Sequence, residues 1–221
     1  MSNLYNDLYN NNVLKIEEVT LSCGRISDYY FNIKKIYNNP QLLNKITDLF
    51  VSQINKYTEQ NNIEYDHIGF VPYGSIPLAT NISIKLNKSL LFIRKEKKQY
   101  GNKKCIEGNY EIGDNVILIE DIITTGESIL KTINNIENAG LIVSDVFCLL
   151  DRETSAIKDI KDKFDYNIHP LIKISNFVNH LFSNRIIDEF QNSKICNTIT
   201  LDKKYYNISK QNKQNIEIKQ K

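Results

Sequence analysis

The sequence predicts an α/β domain built on a mainly parallel sheet flanked by helices. Two observations carry this reading. Short apolar runs of strand length alternate with longer segments of helical period, which is the pattern of βαβ units. The chain's unusual polar clusters follow those runs directly: "PYGS" after "HIGFV", "RKEKKQYG" after "FI", "EDIITTGES" after "VILI" and "DRET" after "CLL". In an open parallel sheet, ligands bind beyond the carboxyl ends of the strands, so these four strand ends are where chemistry is expected.

The elements can be justified in order. Residues up to about Leu14 suit a short helix, and "EEVTLS" and "DYYFNIK" flank "CGR" as two strands and a turn. "NPQLLNKITDLFVSQINKY" is a helix with Asn39 as N-cap and Pro40 in the first turn. "HIGFV" is a strand, "SIPLATNISIKL" a helix, and "LLFIR" a strand. Residues 95–109 are polar, with Gly101 and Gly108, and read as a loop. "VILIE" is a strand, Thr125 to Ala139 a helix closed by Gly140, and "VSDVFCLL" a strand. A helix and a strand follow, up to about Ile174. From Thr198 the chain is polar and Lys-rich, which reads as a solvated or frayed end; a lid over the domain is the alternative.

Composition excludes several classes. The 221 residues hold 28 Lys+Arg against 26 Asp+Glu, a net charge of +2, which argues against bulk nucleic-acid binding. The N-terminus has no basic and apolar signal segment, and no apolar run approaches a membrane span. Cys23, Cys105, Cys148 and Cys196 are too scattered for a metal set or a disulfide framework. A cytoplasmic protein without membrane or nucleic-acid partners is expected.

The most informative stretch is "NVILIEDIITTGESIL", Asn115 to Leu130. "TTGES" at a strand-to-helix junction outlines a phosphate cradle: Gly126 permits close backbone approach, and the first helical turn offers free N–H groups and a favourable dipole. Thr124, Thr125 and Ser128 add hydroxyls. Glu120 and Asp121 would repel the same phosphate, but carboxylates suit hydroxyl donors. A ligand with a phosphate at one end and a vicinal diol nearby, such as a ribose 5-phosphate, satisfies both halves. The plain alternative is a solvated turn followed by an ordinary N-cap. Neither a Walker loop nor a dinucleotide fingerprint is present.

"VILIEDIITTGES" resembles the phosphoribosyl pyrophosphate (PRPP) motif of the type I phosphoribosyltransferases. "LSCGRISDYYFN", "GFVPYGSIPLA", "RKEKKQYGNKKCIEG" and "LLDRET" resemble, in order, the N-terminal signature, pyrophosphate loop, mobile catalytic loop and orotate-side strand end of the orotate phosphoribosyltransferases. The resemblance spans roughly residues 20–155. It implies the type I phosphoribosyltransferase fold over residues 1–197, with a small hood of N- and C-terminal elements, followed by the 198–221 tail. It implies transfer of the phosphoribosyl group to orotate, Mg²⁺ held mainly by PRPP and water rather than by protein ligands, and a homodimer with shared active sites. No fused decarboxylase is expected after Arg185.

The site residues follow from the same resemblance. Asp121 and Lys98 are the expected catalytic groups. PRPP is expected to meet Tyr73, Arg94, Lys95, Lys98, Tyr100, Glu120, Asp121, Ile122, Ile123, Thr124, Thr125, Gly126, Glu127 and Ser128. Orotate is expected to meet Tyr30, Phe31, Thr124 and Arg152. The chemistry agrees: Arg forks onto an oxyanion, aromatic residues suit a flat base, and a mobile basic loop can gather round departing pyrophosphate. Plainer roles remain open at this point: Arg152 in an ion pair with Asp151 or Glu153, Tyr30 and Phe31 as core, and the basic run as a solvated loop. Two positions depart from the family: Ser22 stands for the usual lysine, and Gly74 where many bacterial members have Lys. Another nucleobase, or a non-catalytic PRPP-sensing regulator, is the competing reading. The basic loop, Arg152 and the lack of an added basic domain argue against both.

Overall fold

A computed structural model describes residues 1–20, 26–96 and 105–219, with side chains through Lys210. The elements in chain order are α1 (Ser2–Asn10), β1 (Leu14–Lys15), β2 (Val19–Thr20), β3 (Ile26–Ser27), β4 (Tyr30–Phe31), a 3-10 helix (Ile33–Asn38), α2 (Pro40–Asn61), β5 (His67–Phe70), α3 (Ile76–Leu86), β6 (Ser89–Leu90), β7 (Phe92–Ile93), β8 (Ile106–Glu107), β9 (Asn115–Ile123), α4 (Glu127–Glu137), β10 (Ile142–Asp151), α5 (Ala156–Phe164), β11 (Ile168–Lys173), α6 (Ile174–Ser183) and α7 (Glu189–Lys219).

Five strands form one parallel sheet in the order β11-β10-β9-β5-β6. Its centre is β9 and β10, whose apolar residues Val116 to Ile119 and Val146 to Leu150 are buried because helices cover both sides. Strand β9 is flanked by β5, with Ile119 opposite Phe70, and by β10, with Glu120 opposite Cys148. This sets the chain after β5, the chain after β9 and the chain after β10 side by side at one edge of the sheet. Helix α2 starts as expected: Asn39 Oδ1 accepts from the Leu42 N–H at 3.0 Å, with Pro40 in the first turn.

Three boundaries differ from the sequence reading. "LLFIR" is not one strand. Ser89–Leu90 pairs with β5 at the sheet edge, whereas Phe92–Ile93 pairs antiparallel with β8 in a separate ribbon. Strand β9 runs past the acid pair to Ile123, so Glu120 and Asp121 lie within it and alternate between its faces. Helix α4 begins at Glu127 rather than Thr125, because Gly126 takes a left-handed φ of 75° as its N-cap.

The N-terminal part forms two short antiparallel ribbons, β1–β4 and β2–β3. Residues 198–219, read from sequence as a frayed end, continue α7. Ile195, Thr198 and Asp202 of that helix are all buried. Among the described residues, no helix is long and apolar enough to cross a membrane.

Candidate active site

The site assembles at the carboxyl ends of β5, β9 and β10. Burial of Glu120 is nearly complete, at 7% exposed, and its Oε2 has no hydrogen-bond partner. Burial first, and the neighbouring Asp121 charge second, push its carboxyl well above the ordinary value of 4.5. Asp121 is also raised by burial, but less freely: its Oδ1 accepts from the Ile122 N–H at 2.7 Å, and the Lys34 charge opposes the shift. An unsatisfied buried acceptor costs about 1–3 kcal/mol, so Glu120 is a group prepared for a donor.

The loop after β5 is held against this pair. It starts with the Val71 N–H donating to the Ile119 carbonyl at 3.0 Å. A Cβ added at Gly74 would run into the Asp121 carboxylate, 2.9 Å from its Cγ. With glycine here the backbone lies against the carboxylate without displacing it. Tyr37, from the 3-10 helix, donates to the Gly74 carbonyl at 2.6 Å. Burial, then the charges of Asp121 and Glu120, push its phenol up and keep it a donor. Tyr73 is mostly exposed beside this loop.

Thr124, Thr125 and Gly126 turn the chain from β9 into α4. A Cβ at Gly126 would strike Ile160 of α5, and its φ is positive, so this position requires glycine on two counts. The Thr125 hydroxyl accepts weakly from the Glu127 N–H at 3.5 Å. Thr125, Glu127 and Ser128 are exposed at the mouth of this turn, and Ile122 and Ile123 pair with Leu150 and Asp151 of β10. The first turn of α4 thus presents its N–H groups in an anion-binding arrangement.

Arg152 lies beside this turn. Its N–H donates to the Ile123 carbonyl at 3.3 Å, and the Thr154 hydroxyl donates to the Thr124 carbonyl. Its guanidinium does not pair with Asp151 or Glu153, which accept from the Glu153 and Ser175 N–H groups. Instead Nη2 donates to Asp202 of α7 at 2.5 Å and to the Tyr29 hydroxyl at 3.1 Å. The guanidinium also lies 5.0 Å from the centre of the Tyr29 ring.

Of the aromatic pair expected at the base, Tyr30 is 43% exposed, while Phe31 is core, 5.8 Å from the Phe177 ring and 5.9 Å from the Tyr29 ring. Arg94 stands at the base of the β7–β8 ribbon, with Nε on Glu107 Oε1 at 2.8 Å, and Lys95 is exposed next to it. Lys98 and Tyr100, like Ser22, lie outside the described residues.

Sequence reasoning missed Tyr29, Tyr37, Thr154 and Asp202. Tyr29 lies within the N-terminal signature and Tyr37 beyond it, and neither offers a local sign of a partner 37 or more residues away.

Residues 32–181 match the phosphoribosyl transferase domain family. The orotate phosphoribosyltransferase of Methanosphaera stadtmanae is 40% identical over 178 residues, which is 80% of this chain and 96% of that protein. The UMP synthase of Leishmania donovani superimposes with a TM-score of 0.79 at 23% identity, over 90% of this chain and 42% of that one, so the chain spans less than half of that protein. The orotate phosphoribosyltransferase of Mycobacterium tuberculosis H37Rv, solved in complex with PRPP, superimposes with a TM-score of 0.62 at 23% identity, over 80% of this chain and 97% of that one. The two structures share the fold, and the family match and the sequence relative fix the lineage: the chain belongs to the orotate phosphoribosyltransferases of the phosphoribosyl transferase domain family.

Proposed function

We propose that the protein transfers the phosphoribosyl group of PRPP to orotate, giving orotidine 5′-monophosphate and pyrophosphate. One observation carries the reading: an acid pair, its Glu120 buried with an unpartnered carboxylate oxygen, stands one short turn before an anion-binding helix start. A ribose 5-phosphate meets both needs at once. Its hydroxyls donate to Glu120 and Asp121, and its phosphate accepts from the N–H groups and hydroxyls of Thr124 to Ser128.

In the reaction the C1–O bond to pyrophosphate breaks, and its electron pair leaves on pyrophosphate. The lone pair of the orotate ring nitrogen forms the new bond to C1 with inversion, and the ring nitrogen's proton is released. Positive charge develops on the ribose, where Asp121 and Glu120 stabilise it. The 71–75 loop, Tyr73, Arg94, Lys95, Lys98 and Tyr100 receive the pyrophosphate. Arg152 holds the anionic orotate, with Thr124 and the exposed face of Tyr30 beside the base.

Mg²⁺ fits this site as a partner of the substrate. On the protein side Glu120 and Asp121 would offer hard oxygen donors, and among the described residues no three His, Cys, Asp or Glu side chains converge. An ion that keeps waters and phosphate oxygens matches that donor set. When bound, it neutralises charge on pyrophosphate. The basic loop reaches the neighbouring site in a homodimer, so each site takes residues from two subunits.

Incubation of the protein with Mg²⁺ and PRPP, separately with orotate, uracil, adenine, guanine and hypoxanthine, tests the reading. Orotate alone should be consumed efficiently. Efficient use of another base, or of none, would overturn it.

A further inference from the structure

Helix α7 meets the domain through a line of polar contacts on one face. Lys194 Nζ lies 3.6 Å from Asp28 Oδ1, and the Thr198 hydroxyl donates to Asp28 Oδ2 at 3.0 Å. Asp202 reaches Arg152 and Tyr29, and Lys210 Nζ lies 2.6 Å from Asp159. Lys194, Thr198 and Asp202 recur at intervals of four along the helix, so they share one side. The helix is tied on both sides of Asp202, and that carboxylate is therefore fixed rather than free to swing.

Asp202 is 4% exposed, and its Oδ2 accepts from both the Arg152 Nη2 at 2.5 Å and the Tyr29 hydroxyl at 3.3 Å. Tyr29 is fully buried, so the three groups form a closed triangle. Arg152 spends only Nη2 on it. Its Nε is buried without a partner, and among the described residues Nη1 donates to nothing. A guanidinium presents its donors in a rigid planar fork, so pinning one nitrogen fixes the direction of the others. A buried cation also needs a counter-charge, which Asp202 supplies without covering Nη1.

We propose that Asp202 of α7 is a positioning residue for the base site: it holds Arg152 by Nη2, braced by Tyr29, so that Nη1 faces the anionic base. The C-terminal helix thereby completes the orotate subsite. This inference rests on the assignment of Arg152 to orotate.

The test uses Asp202→Asn, Asp202→Glu, Thr198→Val and Arg152→Ala in the full chain, with kcat and both KM values measured and melting curves recorded. Asp202→Asn should raise the KM for orotate about tenfold, one net hydrogen bond's worth of orientation, and leave the KM for PRPP within about twofold. Asp202→Glu should recover most of the loss. Thr198→Val loosens the same helix without touching Arg152 and should leave the orotate KM within about twofold. An unchanged or lowered orotate KM in Asp202→Asn would overturn the proposal, the latter showing that Asp202 competes with the substrate. Equal losses for both substrates, or the same loss in Thr198→Val, would reduce α7 to a structural brace. An orotate KM unmoved by Arg152→Ala would instead reject the base-site assignment itself. Should Asp202→Asn fail to fold, Asp202→Glu carries the same selectivity test, with a smaller rise confined to orotate expected.

Discussion

Replacing Gly74 with alanine puts the closest contact of the site to a quantitative test. The added methyl carbon would lie against Asp121 Oδ2 and only 2.9 Å from Cγ, so either the carboxylate or the 71–75 loop must give way. Overpacking of this kind costs about 1–3 kcal/mol. Both escapes harm the same substrate: a turned Asp121 loses its aim at the ribose, and a displaced loop loses its place on the pyrophosphate. If the whole cost falls on the reacting complex, kcat/KM for PRPP drops ~5- to 150-fold. The KM for orotate should hold, because Arg152 and Tyr29 do not touch Gly74. The assay is pyrophosphate release with PRPP varied at saturating orotate, beside a melting curve. PRPP kinetics within twofold of wild type, with an unchanged melt, would show that the loop and Asp121 do not depend on each other.

Two further outcomes are expected. Glu120→Gln should raise the melting temperature at neutral pH and have little effect near pH 4. The folded carboxyl titrates well above the ordinary 4.5, so between those two values the native state keeps a proton that the unfolded chain releases. Unfolding free energy then falls as pH rises through that window, and glutamine removes the fall; parallel pH–stability curves for the two proteins would contradict the burial argument. The proposed shared-site homodimer is tested by mixing inactive Lys98→Ala with inactive Asp121→Asn under subunit exchange, which should restore up to about half the wild-type activity per heterodimer, since one site of each mixed pair is intact. No recovery, with exchange confirmed by a tagged subunit, would place the loop over its own subunit's site.

Much of this architecture is written locally in the chain. Asn39 and Pro40 mark the start of α2, and four consecutive apolar residues announce β9, because capping chemistry and burial on both sheet faces leave short-range signatures. The turn from β9 into α4 is legible for the same reason: Gly126 is demanded by a left-handed φ. What escaped depends on tertiary placement. "LLFIR" gives no sign that Leu91 separates strands of two different sheets. Helix α7 hides because its inward face carries Thr198 and Asp202, so the apolar period that identifies a packed helix is broken by buried polar residues. The partner of Arg152 could not be read from its neighbours, since Asp202 lies 50 residues on. The Phe31 ring is packed inward because β4 pairs with β1 and turns that ring toward Phe177, which a sequence position alone does not announce.

The central claim is that PRPP reacts over the acid pair of β9. Turnover of Asp121→Asn at saturating PRPP and orotate tests it most directly. The side chain keeps its shape, and an amide oxygen can still accept from the Ile122 N–H, so the fold and melting curve should be preserved. Losing the charge removes a charge-assisted contact that strengthens as positive charge develops on the ribose, about 2–3 kcal/mol. The expected result is a kcat lower by ~30- to 200-fold. A kcat close to wild type, in a protein that melts like wild type, would contradict the account by removing Asp121 from the reaction.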